Sequence, residues 1–173
     1  GYLSVGDESG HRPDLADEAI RLARQLVAML PAEPEAQGLL ALMLLTRARD
    51  GARVVDGRLV PLDEQDRSRW DVAQVAEGRA LLGRALALGR GPYTLQAAIS
   101  SVHADEPVDW PRVVVLYDEL VGLTGSPVVE LNRAREALDE RVAEFQGVQD
   151  AVEIDVAFQY TTSYDERIFT YVN

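Results

Sequence analysis

The segment Asp66-Arg67-Ser68-Arg69-Trp70-Asp71 places guanidinium groups, an indole and carboxylates around what reads as a helix start. Arg and Trp dominate binding energy at protein interfaces because each combines a large apolar contact area with directional polar groups. Asp66, Arg67, Arg69, Trp70 and Asp71 are therefore the candidate protein-interaction residues. The competing expectation is a capped helix start, with Trp70 buried and the arginines paired to local acids. Other reactive side chains point away from catalysis. His103 has Asp105 and Glu106 nearby, but the three follow a helix end in no recognised ligand spacing. His103 itself is expected inside a helix as a satisfied or exposed side chain. The acidic residues Asp63, Glu64 and Asp66 precede a helix start, where the helix dipole favours negative charge. Gly89-Arg90-Gly91-Pro92 reads as a helix terminator. No Gly-rich phosphate loop follows a strand, and no Gly-x-Ser-x-Gly elbow occurs. With no cysteine, thiolate metal sites, disulfides and Cys nucleophiles are excluded. The expectation is a chain without catalytic, cofactor or metal residues.

Charge narrows the partners. The 173 residues carry 17 basic side chains, all arginine, against 29 acidic ones, for a net charge of −12. A duplex-binding surface needs cations to displace counterions from phosphates, so nucleic acid and anionic membranes should both be repelled. A basic protein surface is the natural target, or the acidity simply maintains solubility. The longest apolar run, Gly38 to Leu45, is too short to span a bilayer, and no charged-then-apolar signal segment opens the chain. A cytoplasmic location is expected. The opening Gly1-Tyr2-Leu3-Ser4, without Met, is expected of a segment with sequence upstream.

The elements that must position these residues are mostly helices. Residues 1–12 read as a linker end. From Pro13, Leu15, Ala19, Leu22, Ala23, Leu26, Val27 and Leu30 recur at three and four, predicting one apolar helical face, and Pro31 closes the helix. Pro34 suits the first turn of a second helix. That helix is apolar nearly all round through Leu39, Leu40, Leu42, Met43, Leu44 and Leu45, and so belongs at the centre of the core. Val54 to Val60 forms either a small hairpin around Asp56-Gly57 or an ordered loop. Asp66 or Ser68 caps a third helix running through Trp70, Val75, Leu81 and Leu86. Pro92 starts a fourth (Tyr93 to Ala104), Asp109 caps a fifth through Val113, Leu116, Leu120 and Leu123, and Ser126-Pro127 opens a sixth reaching towards Phe145. Short connections make successive helices antiparallel neighbours. After Gly147 the pattern alternates with period two at Val152–Val156 and again from Arg167 to Val172, predicting a β-hairpin.

Residue order adds a resemblance. Asp17-Glu18-Ala19-Ile20-Arg21-Leu22-Ala23-Arg24, Leu39 to Leu45, Leu62 to Asp71, and Gly91-Pro92-Tyr93-Thr94-Leu95-Gln96-Ala97-Ala98-Ile99 recur in one order with Trp110, Leu116-Tyr117-Asp118 and Ser126 to Ala134. Together they resemble the C-terminal extension of a group of extracytoplasmic-function RNA polymerase sigma factors, over roughly residues 1–134. The resemblance implies a tetratricopeptide-like helical extension, which modulates the parent protein through protein contacts. Upstream regions of such proteins bind RNA polymerase and read promoters. The tail, Phe145-Gln146-Gly147 through Asn173, is instead similar to the start of the transducer domain of DNA gyrase, found on the ATP-binding chain of that enzyme. It carries none of that family's ATP-binding residues, so no ATPase or topoisomerase activity follows. A change of grammar this abrupt is expected of a chimeric or misassembled reading frame, joined between Arg133 and Phe145, with a genuine late-acquired hairpin as the alternative.

The expected architecture is mostly α, about six helices in stacked antiparallel, tetratricopeptide-like hairpins with a C-terminal β-hairpin. Its divisions are a linker end at 1–12, a helical domain at 13–145 and a hairpin tail at 146–173. The expected function is a regulatory protein-interaction domain of a bacterial sigma factor in transcription initiation. Its partners would be the sigma factor's own DNA-binding regions, RNA polymerase through the parent protein, and a regulatory protein. A free-standing helical-repeat adaptor is the alternative.

Overall fold

The computed structural model describes residues 13–146. The linker end at 1–12 and the hairpin tail from Gly147 onwards lie outside the described residues. Within 13–146 the chain is mostly helical with one small two-stranded sheet. The elements are α1 (Pro13–Met29), α2 (Pro34–Arg47), a one-turn α3 (Asp50–Arg53), β1 (Val54–Val55), β2 (Arg58–Leu59), α4 (Val72–Leu88), α5 (Pro92–Val102) and α6 (Trp110–Thr124). A seventh helix, α7, occupies 127–146 and continues through the segment where a join between sequences of different origin is expected.

The apolar girth of α2 makes it the hub, packing on α1, α4 and α5. Its buried positions include Ala36, Gly38, Leu40, Ala41, Leu44 and Leu45, and Leu44, Leu95, Val113 and Leu120 are among the most enclosed side chains. Two glycines set the spacing. A Cβ on Gly38 would lie 2.7 Å from the Thr94 amide nitrogen, and one on Gly78 would lie 2.9 Å from Leu45 Cγ. Helices α4 and α5 therefore approach α2 more closely than a side chain would allow.

Polar pairs between helix ends give the directions. Arg47 near the end of α2 reaches Asp17 near the start of α1 at 3.0 Å. Arg79, midway along α4, bonds the Ser101 carbonyl at the end of α5 at 3.0 Å and Asp105 just beyond it at 2.6 Å. Arg90, before α5, pairs with Glu119 late in α6 at 2.6 Å. The Arg47 and Arg90 pairs join opposite ends of neighbouring helices, and the short 89–91 connection turns α5 back along α4, so successive long helices run antiparallel. At the start of α2, Glu35 accepts from the backbone amides of Tyr93 and Thr94 at 2.9 and 3.1 Å, and from the Thr94 hydroxyl at 2.8 Å. One carboxylate thus satisfies otherwise orphaned amides of α5, whose own N-cap, Gly91, has no side chain to do so.

Two local expectations are corrected. The third long helix begins at Val72, after Trp70, because Asp71 is its cap. The Asp71 carboxylate accepts from the Gln74 amide at 3.0 Å and from the Gln74 side chain at 2.9 Å, two bonds that outcompete a start at Asp66 or Ser68. Asp66 instead closes a single 3-10 turn, Arg67–Arg69, by accepting from the Ser68 amide. His103 is the C-cap of α5, not an interior residue. The small hairpin does form: Val54 pairs with Leu59 and Val55 with Arg58, and Asp56 and Gly57 both have positive φ (50° and 75°), as its tight reversal demands. Finally, the apolar face of α1 is only partly covered. Ala23 is buried, whereas Leu15, Leu22, Leu26, Met29 and Leu30 remain exposed.

Candidate anion-binding cleft

Between α2 and α4 the chain makes a long excursion, residues 49–70, whose two ends are tied together where the Asp71 amide donates to the Ala48 carbonyl at 2.9 Å. Long ordered connections of this kind are commonly functional. Within it, the Val60 amide donates to the Arg53 carbonyl at 2.9 Å, and the Gln65 side-chain amide donates to the Val60 carbonyl at 3.0 Å. The hairpin is thereby folded back over the following turns. The excursion, the Val108–Trp110 turn and the inner face of α7 enclose a cleft of about 690 Å³.

The cleft is cationic in a strongly acidic chain. Arg49, Arg53, Arg67 and Arg135 line it, against the carboxylates of Glu136 and Asp139. Leu59, Pro61, Leu62 and Val142 supply apolar wall. Trp70 packs beneath, 8% exposed, with the guanidiniums of Arg67 and Arg49 at 5.1 and 5.7 Å from its ring centroid. Such cation–π contacts are strongest where water is excluded. Burial, and then repulsion from Arg53 and Arg67, lowers the pKa of Arg49 below its ordinary value, with Asp50 acting in the opposite direction. Arg49 Nε is buried without a hydrogen-bond partner among the described residues, as are Gln65 Oε1 and Trp70 Nε1.

His103 joins this region to α7. Its carbonyl accepts from Arg67 Nη1 at 3.0 Å, its Nε2 lies 3.4 Å from Glu136 Oε2, and its ring meets Trp110 edge-on at 5.9 Å. These contacts account for the residue without a metal. Among the described residues, no group of three or more His, Asp or Glu side chains is placed to hold one. Tyr117 lies on the same side, its phenol pushed up to about 12 by burial and by the charge of Glu136.

The residues singled out from sequence thus separate. Arg67 and Trp70 belong to the cleft and its floor. Asp66 and Asp71 are exposed caps, and Arg69 is exposed in the 3-10 turn. Arg49, Arg53, Gln65 and Arg135 escaped sequence reading. The available signal was the recurrence of arginine through 47–58, a stretch whose helical pattern breaks at Asp50.

With this geometry in hand, comparison with known proteins gives two matches. Residues 1–86 match a protein family of unknown function, DUF6596. An uncharacterized protein of Rhizobium meliloti (strain 1021) is 44% identical over 140 residues, which cover 78% of this chain and 33% of that protein. The chain therefore spans a third of the length of the curated relative it matches. No solved structure matches the chain. No helix among the described residues is long and apolar enough to cross a membrane.

Proposed function

We propose that this chain is a regulatory protein-interaction domain of a bacterial RNA polymerase sigma factor. It acts in the cytoplasm as a stack of tetratricopeptide-like helical hairpins, with no catalytic step of its own. The observation that carries the interaction reading is the pair of uncovered apolar seams on the outer helices. Leu15, Leu22, Leu26 and Met29 on α1, and Val128, Leu131, Leu138 and Phe145 on α7, are exposed. Their spacings of three, four and seven are those of a helix–helix contact. Singly exposed apolar residues are ordinary, but two continuous stripes are the signature of surfaces that take a partner. The sigma-factor assignment is supported by the ordered resemblance running from Asp17 to Ala134. A relative more than twice as long also provides room for the promoter-binding and polymerase-binding regions that the reading requires.

Promoter-dependent transcription with RNA polymerase and the full-length parent protein tests this, with residues 13–146 present or deleted. The expected outcome is polymerase binding by both proteins and a transcript level that changes on deletion. Replacing Leu22 and Leu131 by Glu should reproduce part of that change, since both side chains are exposed and the fold does not depend on them. A full-length protein that fails to associate with RNA polymerase sinks the reading and leaves a free-standing helical adaptor.

A further inference from the structure

We propose that the cleft between the 49–70 excursion and α7 binds a small organic anion, a carboxylate or phosphate carried on an apolar body. The proposal does not depend on the sigma-factor reading. It starts from charge distribution: a chain with a net charge of −12 gathers Arg49, Arg53, Arg67 and Arg135 around one concavity. Guanidinium is the group best matched to carboxylate and phosphate oxygens, because its N–H donors form a planar fork.

Unpartnered polar atoms make the second, independent observation. Gln65 lines the cleft at 7% exposure, yet its Oε1 has no partner among the described residues, and the same holds for Arg49 Nε. Leaving a buried donor or acceptor unmade costs about 1–3 kcal/mol, a cost recovered by a ligand atom that reaches either group. Arg67 is already held by the His103 carbonyl at 3.0 Å, which positions its remaining N–H groups instead of leaving them to swing freely.

Size and lining select the class. A cleft of about 690 Å³ falls in the ordinary range for small-molecule sites and exceeds what a bare inorganic anion occupies. The opposite wall offers Leu59, Pro61, Leu62 and Val142, a surface for hydrocarbon or an aromatic ring. Glu136 and Asp139 on α7 disfavour a highly charged ligand, so one or two negative charges fit best. Because α7 forms one wall, occupancy would also bias how that helix docks.

The test uses the full 173-residue chain and follows tryptophan emission and melting temperature. The probes are phenyl phosphate and benzoate, with benzyl alcohol and inorganic phosphate as controls. Either organic anion should give a saturable emission change and raise the melting temperature, and the stronger of the two identifies phosphate or carboxylate as the preferred group. Both controls should bind at least about tenfold more weakly, the change expected from losing one charge-assisted contact or the apolar one. Arg49→Gln should weaken binding by a similar factor. Leu59→Glu, at a side chain 67% exposed, should do so by repulsion without disturbing the fold, which keeps the test valid if Arg49→Gln melts early. Equal responses to phenyl phosphate and benzyl alcohol overturn the proposal. So do unaltered affinity in Leu59→Glu, and saturation by an Asp-rich peptide with no response to either small anion.

Discussion

Glu35 and Arg49 stand at the two ends of α2, and their surroundings differ in kind. At the first end the charged group is fully answered. Glu35 caps α5 through two amides and a hydroxyl, Thr94 is fully buried, and Gly38 brings α2 and α5 into close contact. At the other end, Arg49 shares the indole of Trp70 with Arg67, and buried polar atoms of Arg49, Gln65 and Trp70 lack partners among the described residues. The first end is organised for stability. The second gathers more unmade polar bonds, on Arg49, Gln65 and Trp70, against Gln37 Oε1 alone at the first among the described residues. The same fold therefore holds a region where any change should destabilise and a region where some changes should not.

Gly38→Val carries the largest expected effect. Its Cβ would meet the Thr94 backbone at 2.7–2.8 Å, an overlap that no side-chain rotation relieves. A loss of about 3 kcal/mol or more is expected in urea denaturation. A variant within about 0.5 kcal/mol of the parent would show that the α2–α5 contact yields. Next comes Tyr117, whose phenol is raised from 10.0 to about 12. A folded-state pKa above the unfolded value contributes stability fully present below pH 10 and lost as pH rises through about 12. Ultraviolet titration should show an ionisation near pH 12 that is missing in Tyr117→Phe, and Glu136→Gln should advance it. No change in Glu136→Gln would mean that α7 does not dock here in solution.

Arg49→Met tests the opposite end directly. It removes a desolvated cation repelled by Arg53 and Arg67 while keeping an unbranched side chain against Trp70. Replacing a poorly compensated buried charge by an apolar group is often neutral or stabilising, so a change between zero and about 1 kcal/mol in the stabilising direction is expected by urea denaturation. A clear loss would show that Arg49 is a structural residue and erase the contrast with Glu35. The smallest effects belong to the exposed pairs Arg24–Glu77 and Arg90–Glu119. Breaking either by Arg→Gln should cost less than about 0.5 kcal/mol. Hydrogen bonds from Arg24 and Arg90 hold the carboxyls of Glu77 and Glu119 below the usual 4.5. Their contribution is therefore present above pH 4.5 and lost as pH falls through the lower folded-state values. A melting temperature that declines below pH 4.5, less so in the double Arg→Gln variant, is the expected profile.

Much of the framework was legible because its signals are local. The helices at Pro13, Pro34, Pro92 and Asp109 begin where proline or a carboxylate cap places them, and the all-round apolar surface of α2 foretold its central position. Asp56-Gly57 foretold the tight turn. The start of α4 was misplaced because Asp66, Ser68 and Asp71 are all competent caps, and only the two bonds from Gln74 to Asp71 chose among them. The candidate residues were half legible for a related reason. Arg67 and Trp70 stood out as neighbours in sequence, and a protein-interface role was inferred for them, but burial turned the indole inward.

Helix positions, their caps and the acidic balance of the chain follow from the order of residues, because each depends on interactions spanning a few positions. The arginine cleft does not. Arg49, Arg67 and Arg135 are far apart along the chain. They meet because the excursion closes between Ala48 and Asp71 and because α7 folds back over it through Glu136 and His103. Those closures come from long-range packing and hydrogen bonding, whose partners no local pattern specifies. The fold alone therefore makes a cationic site within an acidic protein.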